Sequence, residues 1–103
     1  MISVTVLYPK TSDSQFDMAY YLDHHTPLVR ERLTPVGLAG IDLNAGLAGG
    51  APDSPPAYAM ICNLRFASLD ALQSALAAHG PELMGDIPNF TNVQPILQIS
   101  QSV

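Results

Sequence analysis

Hydrophobic and polar residues alternate along four short stretches of the chain, as they do in β-strands that bury one face. These stretches are residues 2–8, 36–47, 58–66 and 93–101. The alternation is clearest in the third, where Tyr58, Met60 and Cys62 point one way and the residues between them point the other. The pattern predicts four strands.

Two other stretches repeat their apolar residues at helical spacing. Asp17 is a favourable N-cap for the first of these helices, and Ser68 is one for the second. The inward face of the first helix is predicted to contain Met18, Tyr21 and Leu22, with His25 next in register. The inward face of the second contains Leu69, Leu72 and Leu76, with His79 next. Each helix therefore carries one histidine on its apolar face.

Prolines are expected to interrupt both helices, because proline lacks the N–H that a helix interior needs. Pro27 predicts a kink or break, with Thr26 as the N-cap of a second helical piece that reaches about Leu33. Gly80-Pro81 predicts the end of the second helix. Residues 82–92 then form a short helical turn followed by tight turns.

The order strand, helix, strand, strand, helix, strand predicts an α+β, ferredoxin-like βαββαβ fold, with both helices on one face of an antiparallel sheet. A length of 103 residues fits a single domain over residues 1–103. The Gly- and Pro-rich residues 48–57 form a loop that is long for so small a domain. Loops of this length in compact domains are often functional.

The composition favours a homodimer. Hydrophobic residues make up 48% of the chain and charged residues only 13%, about half the charged share of an ordinary soluble protein. The sheet face turned away from the helices is predicted to be just as poor in charge. Two such faces packed together would form a dimeric α/β barrel, whereas a hydrated Ser-, Thr- and Gln-rich face is the alternative.

Charge and cysteine content exclude several classes of protein. Four basic residues against nine acidic ones argue against nucleic-acid binding. No run of apolar residues is close to the length of about 18 residues that a membrane-spanning helix needs. The single cysteine, Cys62, forms no internal disulfide and fits a cytoplasmic location.

We expect no metal, because His24 and His25 point apart on a helix and no ligand-spaced cluster is present. The glycines form no dinucleotide-binding motif, and no cofactor is expected.

His25 and His79 are the candidate catalytic residues, because their positions on the two inward helix faces would let them flank a common cavity. Each also has a purely structural interpretation: His25 can bond carbonyls freed by Pro27, and His79 can bond the carbonyls of a helix end. Tyr20, Tyr21, Phe90 and Asn92 are candidate substrate-binding residues, with core packing or turn formation as the alternative. Asp86 or Asp23 could supply an acid that orients the base, although Asp23 is equally expected to be an exposed helix residue. Which of His24 and His25 faces the cavity is left open.

Several short segments together resemble the EthD (ethyl tert-butyl ether degradation protein) family. They are Phe16-Asp17, Tyr20-Tyr21-Leu22, His25-Thr26-Pro27-Leu28-Val29, Pro56-Ala57-Tyr58, Phe66-Ala67-Ser68-Leu69, His79-Gly80-Pro81-Glu82, residues 86–92 and Pro95. The resemblance runs over nearly the whole chain. It implies a dimeric barrel of ferredoxin-like protomers and places the family's histidine motif on His25.

The resemblance does not fix the reaction, since the wider superfamily includes cofactor-free monooxygenases, isomerases, cyclases and haem enzymes. One hypothesis is a cofactor-independent oxidoreductase or isomerase in which a histidine moves a proton on a small apolar molecule. A second is a non-catalytic ligand-binding accessory protein of an oxidative degradation system, and a third is a structural dimer. A cavity of about 300 Å³ or more lined by His25 would exclude the third.

Overall fold

The four strands form one antiparallel sheet in the order β2-β3-β1-β4, and both helices pack on the same face of it. In the computed structural model, which describes residues 1–103, the strands are β1 (Ile2–Pro9), β2 (Leu38–Ala45), β3 (Tyr58–Phe66) and β4 (Ile96–Gln101). The first helix spans residues 18–33 and the second is Leu69–Asp86. The predicted ferredoxin-like protomer is confirmed.

Two strands are shorter than predicted. β2 begins at Leu38 rather than residue 36, because Thr34–Val36 form a 3-10 turn and Gly37 takes a left-handed conformation with φ of 113°. It ends at Ala45 rather than residue 47. β4 begins at Ile96 rather than residue 93, directly after Pro95, which has no N–H to donate to the sheet. The loop from residue 46 to 57 contains no helix or strand.

The first helix is continuous, so of the kink or break predicted at Pro27 the break is wrong, while the helical piece beyond it does reach Leu33. The helix is α-helical over Met18–Tyr20, widens to a π-helix over Tyr21–His25 and returns to α over Thr26–Leu33. The wide turn relieves the clash that a proline ring would make with an α-helical turn before it. Thr26 has helical dihedrals and donates its backbone N–H to the Tyr21 carbonyl, so it is not an N-cap. Asp17 caps the helix as predicted, accepting from the Tyr20 N–H.

The second helix runs through Gly80-Pro81, so the predicted end there is also wrong. Pro81 costs one helical hydrogen bond, but Leu83 and Ile87 beyond it are buried against the rest of the protein. An ion pair between Arg32 and Glu82, with Nε and Oε1 2.9 Å apart, also ties this part of the helix to the first. The free energy gained by burying the last turns therefore outweighs the lost hydrogen bond, and the helix continues to Asp86.

The core lies between the sheet and the helices. Val4 and Phe66 from the strands meet Leu33 from the first helix and Leu72 from the second, and none of the four is more than 1% exposed. Two residues predicted to face inward do not: Leu22 is 46% exposed and Leu69 is 44% exposed. Neither helix is long and apolar enough to cross a membrane.

The opposite face of the sheet carries an apolar row across three strands. Leu7 of β1 lies between Ile61 of β3 and Ile96 of β4 in the strand register. The only charged side chains on this face, Asp42 and Arg65, pair with each other. No element of the chain packs over the row, and Ile96 is 51% exposed.

Candidate functional site

The side chain of His25 lies between the two helices and is bound to an acid. Only 6% of His25 is exposed, and its Nδ1 lies 2.9 Å from Oδ2 of Asp86 at the end of the second helix. The histidine therefore does not bond the carbonyls freed by Pro27. The carboxylate can only accept a hydrogen bond, so Nδ1 carries the proton when the ring is neutral. The second ring nitrogen, Nε2, is left with its lone pair.

Asp86 is held by two further donors. The Tyr20 hydroxyl donates to Oδ1 over 2.7 Å, and Asn89 Nδ2 donates to the same oxygen over 3.0 Å. Burial raises the pKa of Asp86, but the hydrogen bonds from Tyr20, Asn89 and His25 outweigh it and hold that pKa below its ordinary value. The hydrogen bond to Asp86, with burial, raises the pKa of Tyr20. Asp86 is thus ionised at neutral pH and Tyr20 is protonated.

Two aromatic rings fix the plane of the imidazole. Tyr21 stacks on His25 with ring centroids 5.5 Å apart and planes at 25°, and Phe90 packs at 4.7 Å. Both aromatic residues are almost completely buried. Nε2 makes no hydrogen bond within the protein, and it is not among the fully enclosed polar atoms. The ring is therefore clamped in orientation while one nitrogen stays free to react.

His25 lines a narrow cavity between the helices and the sheet. The cavity has a volume of about 60 Å³, below the about 300 Å³ of a usual ligand pocket. Of its 17 lining residues 14 are hydrophobic. The most exposed of them are Met84 on the second helix and Leu97 on β4, at 44% and 43%, so the cavity opens between these two side chains. The cavity size does not by itself exclude a structural role.

The polar side-chain groups of the cavity lining belong to His25, Thr26, Tyr8, Tyr21 and Cys62. His25, Thr26 and Gly80 are the three lining residues outside the hydrophobic set. Thr26 is 8% exposed, and its hydroxyl is the only fully enclosed side-chain polar atom in the protein without a hydrogen-bond partner. Cys62 also lines the cavity, but burial raises the pKa of its thiol to about 11, so it is not a thiolate at neutral pH.

Of the other predicted site residues, only Tyr21 lines this cavity. The Tyr20 hydroxyl is engaged by Asp86, and Phe90 lies against the histidine ring outside the cavity lining. Asn92 holds a loop instead: its Oδ1 accepts from the Gln15 N–H over 2.8 Å and its Nδ2 donates to the Asp13 carbonyl over 3.0 Å.

The structure does not bring the two candidate histidines to one cavity. His79 is half-buried and is not among the cavity-lining residues. It lies in the interior of the longer second helix rather than at its end, next to Gly80. His24 is exposed and packs on the Tyr20 ring, so His25 is the histidine that faces the cavity. No group of three or more His, Cys, Asp or Glu side chains is placed to hold a metal, and residues 48–57 add nothing to the cavity.

Sequence reasoning named Asp86 and Asp23 together as acids that could orient the histidine, gave Asn89 no role of its own and made Thr26 an N-cap. A helix that ended at Gly80-Pro81 gave no reason to place Asp86 beside His25 rather than in a turn. Asp86 and Asn89 are three residues apart, a spacing at which side chains meet on a helical turn, and this was the available signal. Thr26 was assigned to an N-cap, which concealed that its hydroxyl has no local partner.

The fold has counterparts among solved structures. The chain is similar to an EthD-like protein from Ralstonia eutropha, with 42% sequence identity, a TM-score of 0.91, and coverage of 99% of this chain and 91% of that one. It is also similar to an ethyl tert-butyl ether degradation family protein from Bacillus halodurans, with 20% identity, a TM-score of 0.70, and coverage of 100% and 99%.

A more distant likeness is to an antibiotic biosynthesis monooxygenase, with 17% identity, a TM-score of 0.52, and coverage of 100% of this chain and 99% of that one. The likenesses to this monooxygenase and to the Bacillus protein, both below 25% identity, show the fold alone. No family model matches the sequence, and no curated protein does.

Proposed function

The chain belongs to the EthD-like family, and on that premise we propose that it is a small-molecule catabolic or tailoring enzyme in which His25 takes a proton from the substrate. The observation that carries this proposal is the 2.9 Å contact between His25 Nδ1 and Asp86 Oδ2. A histidine whose Nδ1 is bound to a partly buried carboxylate has the arrangement of a general base. The apolar lining of the cavity suits a mostly apolar substrate.

The site supports proton removal in three ways. Asp86 accepts from Nδ1, so the basic lone pair is on Nε2, and the carboxylate stabilises the imidazolium that forms when Nε2 takes a proton. Tyr20 and Asn89 fix the carboxylate, while Tyr21 and Phe90 fix the ring plane. The apolar lining excludes water from the anion that forms.

The substrates that suit this chemistry carry an acidic proton whose removal leaves an anion with delocalised negative charge. Phenols, quinols and lactones have such protons, and each has a largely apolar body. Return of the proton to a different atom would make the protein an isomerase. Reaction of the anion with dioxygen would make it a cofactor-independent monooxygenase, an oxidoreductase. His79 takes part in neither step as proposed here, because it does not line the cavity.

A second candidate function is non-catalytic binding of a small apolar ligand for a partner enzyme of oxidative degradation. The small volume of the cavity, about 60 Å³, favours this alternative, because little room is left for a second reactant. In this case His25 would orient the ligand by a hydrogen bond and transfer no proton.

A panel of small phenols, quinols and lactones distinguishes the two functions. Binding to the protein is measured by ligand-observed NMR, and turnover in aerobic buffer by product analysis. We expect His25→Asn to lower turnover of a converted compound by about 10²–10⁴-fold, the usual contribution of a general base. Binding should change much less, because most of the contact is apolar.

The matched control is His24→Asn, which removes the adjacent but exposed histidine. It should retain parental turnover. Compounds that bind without conversion would favour the binding protein over the enzyme. Equal turnover in the parent and His25→Asn would remove His25 from the mechanism.

We further propose that the protein is a homodimer closed by the outer sheet face. The apolar row of Leu7, Ile61 and Ile96 supports this, because it lies on a face whose two charges neutralise each other. β4 supports it as well, since Ile96 on this face of the edge strand is 51% exposed. An exposed apolar edge strand is an aggregation hazard unless a partner covers it.

A further inference from the structure

Two tyrosines of the cavity lining carry hydroxyl groups that the proposed proton transfer does not use. Tyr8 of β1 and Tyr21 of the first helix are 2% and 1% exposed, and both line the cavity together with His25. Neither hydroxyl is bonded to an oxygen or nitrogen of the protein. The protein's one fully enclosed side-chain polar atom without a partner is Thr26 Oγ1, so both tyrosine hydroxyls keep some accessible surface. In residues this deeply buried, the cavity is where a ligand can reach that surface.

The thiol of Cys62 on β3 lies near both hydroxyls. Burial raises the pKa of Tyr8 and the pKa of Tyr21, and the nearby thiol raises both further. The thiol is a partner for the Tyr21 hydroxyl, but a thiol is a weak donor and a weak acceptor. Both tyrosines are therefore protonated at neutral pH, and their O–H groups remain able to bind a stronger acceptor.

An anion formed in this cavity depends on neutral donors. No lysine or arginine lines the cavity, and a charge left uncompensated in an apolar site is costly. Hydrogen-bond donors that are already fixed in place are the usual means of stabilising such a charge. Thr26 Oγ1 is enclosed and out of reach, and the Cys62 thiol is a weak donor. The hydroxyls of Tyr8 and Tyr21 are the strong side-chain donors that remain.

We propose that the hydroxyls of Tyr8 and Tyr21 together bind the substrate oxygen on which negative charge develops when His25 takes the proton. This inference rests on the proposed function, because it places the anion in the cavity that His25 lines. The proton moves to Nε2, its electron pair stays on the substrate, and the charge resides on a phenolate or enolate oxygen that accepts from both O–H groups. A volume of about 60 Å³ has room for that end of a ligand, since about 10–15 Å³ holds one water molecule.

The probe for this site is 4-nitrophenol, whose absorption spectrum distinguishes the neutral phenol from the phenolate. At a pH where the free compound is mostly neutral, binding to the parent should produce the phenolate spectrum. Tyr8→Phe and Tyr21→Phe each keep the ring and remove one donor. Each should weaken phenolate binding by about tenfold or more and lower the ionised fraction of the bound compound. Tyr58→Phe, the same change at a tyrosine outside the cavity lining, is the matched control and should bind as the parent does.

Turnover and thermal unfolding give two further readouts. For a compound that the parent converts, loss of one such donor should lower kcat by about 10²–10³-fold, with a much smaller change in KM. Because neither hydroxyl has a strong partner in the protein, Tyr8→Phe and Tyr21→Phe should melt at or above the melting temperature of the parent.

Three results would overturn the inference. One is a parent that does not bind 4-nitrophenol as the phenolate. Another is phenolate binding that is equal in the parent, Tyr8→Phe and Tyr21→Phe. The third is a melting temperature well below that of the parent in both variants, which would show that the hydroxyls are bonded within the protein.

The two proposals fail separately. Phenolate binding that depends on both tyrosines, without turnover of any compound, leaves the anion site standing and removes the enzyme. Turnover that depends on His25, with parental kcat and parental phenolate binding in Tyr8→Phe and Tyr21→Phe, removes this inference alone.

Discussion

Asp86→Asn should lower turnover of a converted substrate by about 10²–10⁴-fold, close to the loss expected for His25→Asn. Asparagine has the size of aspartate and can still accept from Tyr20, so the fold should be retained. Its amide N–H, however, can donate to His25 Nδ1, which would move the ring proton to Nε2. The nitrogen that faces the substrate would then be a donor rather than a base.

The measurement is kcat for the parent and the variant at saturating substrate, with circular dichroism to verify the fold. Asp23→Asn is the matched control, since it removes an exposed carboxylate from the first helix and should leave kcat unchanged. A parental kcat in Asp86→Asn would mean that the acid has no part in orienting the histidine.

Ile61→Lys should convert the proposed dimer into a monomer. Ile61 lies in the apolar row of the outer sheet face, opposite Leu7 of β1 and Asn44 of β2. In a symmetric dimer each copy would bring its own lysine into the interface, so desolvation and like-charge repulsion would add. The row does not contribute to the core between sheet and helices, so the protomer should still fold.

Sedimentation velocity of the parent and the variant gives the two masses directly. The matched control is Gln73→Lys, which places the same charge on the exposed side of the second helix and should leave a dimer. A parent that sediments as a monomer at all concentrations would rule out the dimer. A dimer that persists in Ile61→Lys would place the interface elsewhere.

The strands were predictable because each has one buried face. β3 was predicted at its observed bounds, Tyr58–Phe66, where buried residues alternate with partly exposed ones from Met60 to the end of the strand. The ends of β2 and β4 were less accurate. A 3-10 turn occupies the residues where β2 was predicted to begin, and Pro95 delays the start of β4. Alternation predicts that a strand exists, whereas its ends depend on the turn next to it.

The starts of both helices were predicted correctly. The predicted break at Pro27 and the predicted end at Gly80-Pro81 were wrong. Asp17 and Ser68 cap them because a cap depends only on neighbouring residues. The effect of a proline depends on what lies beyond it. Burial of Leu83 and Ile87 keeps the second helix going past Pro81, and a π-turn absorbs Pro27. These compensations come from tertiary packing, which local rules do not contain.

The candidate site was predictable only in part for the same reason. The inward position of His25 followed from helical spacing within one helix. Its contact with Asp86 joins residues 61 positions apart and exists only because the second helix is longer than its sequence suggests. The expected meeting of His25 with His79 depended on the shorter helix.

The central claim is that Asp86 holds His25 with the proton on Nδ1 and the lone pair on Nε2. Nitrogen-15 NMR of the histidine side chains tests it most directly, because protonated and unprotonated ring nitrogens have well-separated chemical shifts. At a pH where the ring is neutral, the account predicts a protonated Nδ1 and an unprotonated Nε2 for His25, and loss of this preference in Asp86→Asn. A parent His25 with its proton on Nε2 would contradict the account.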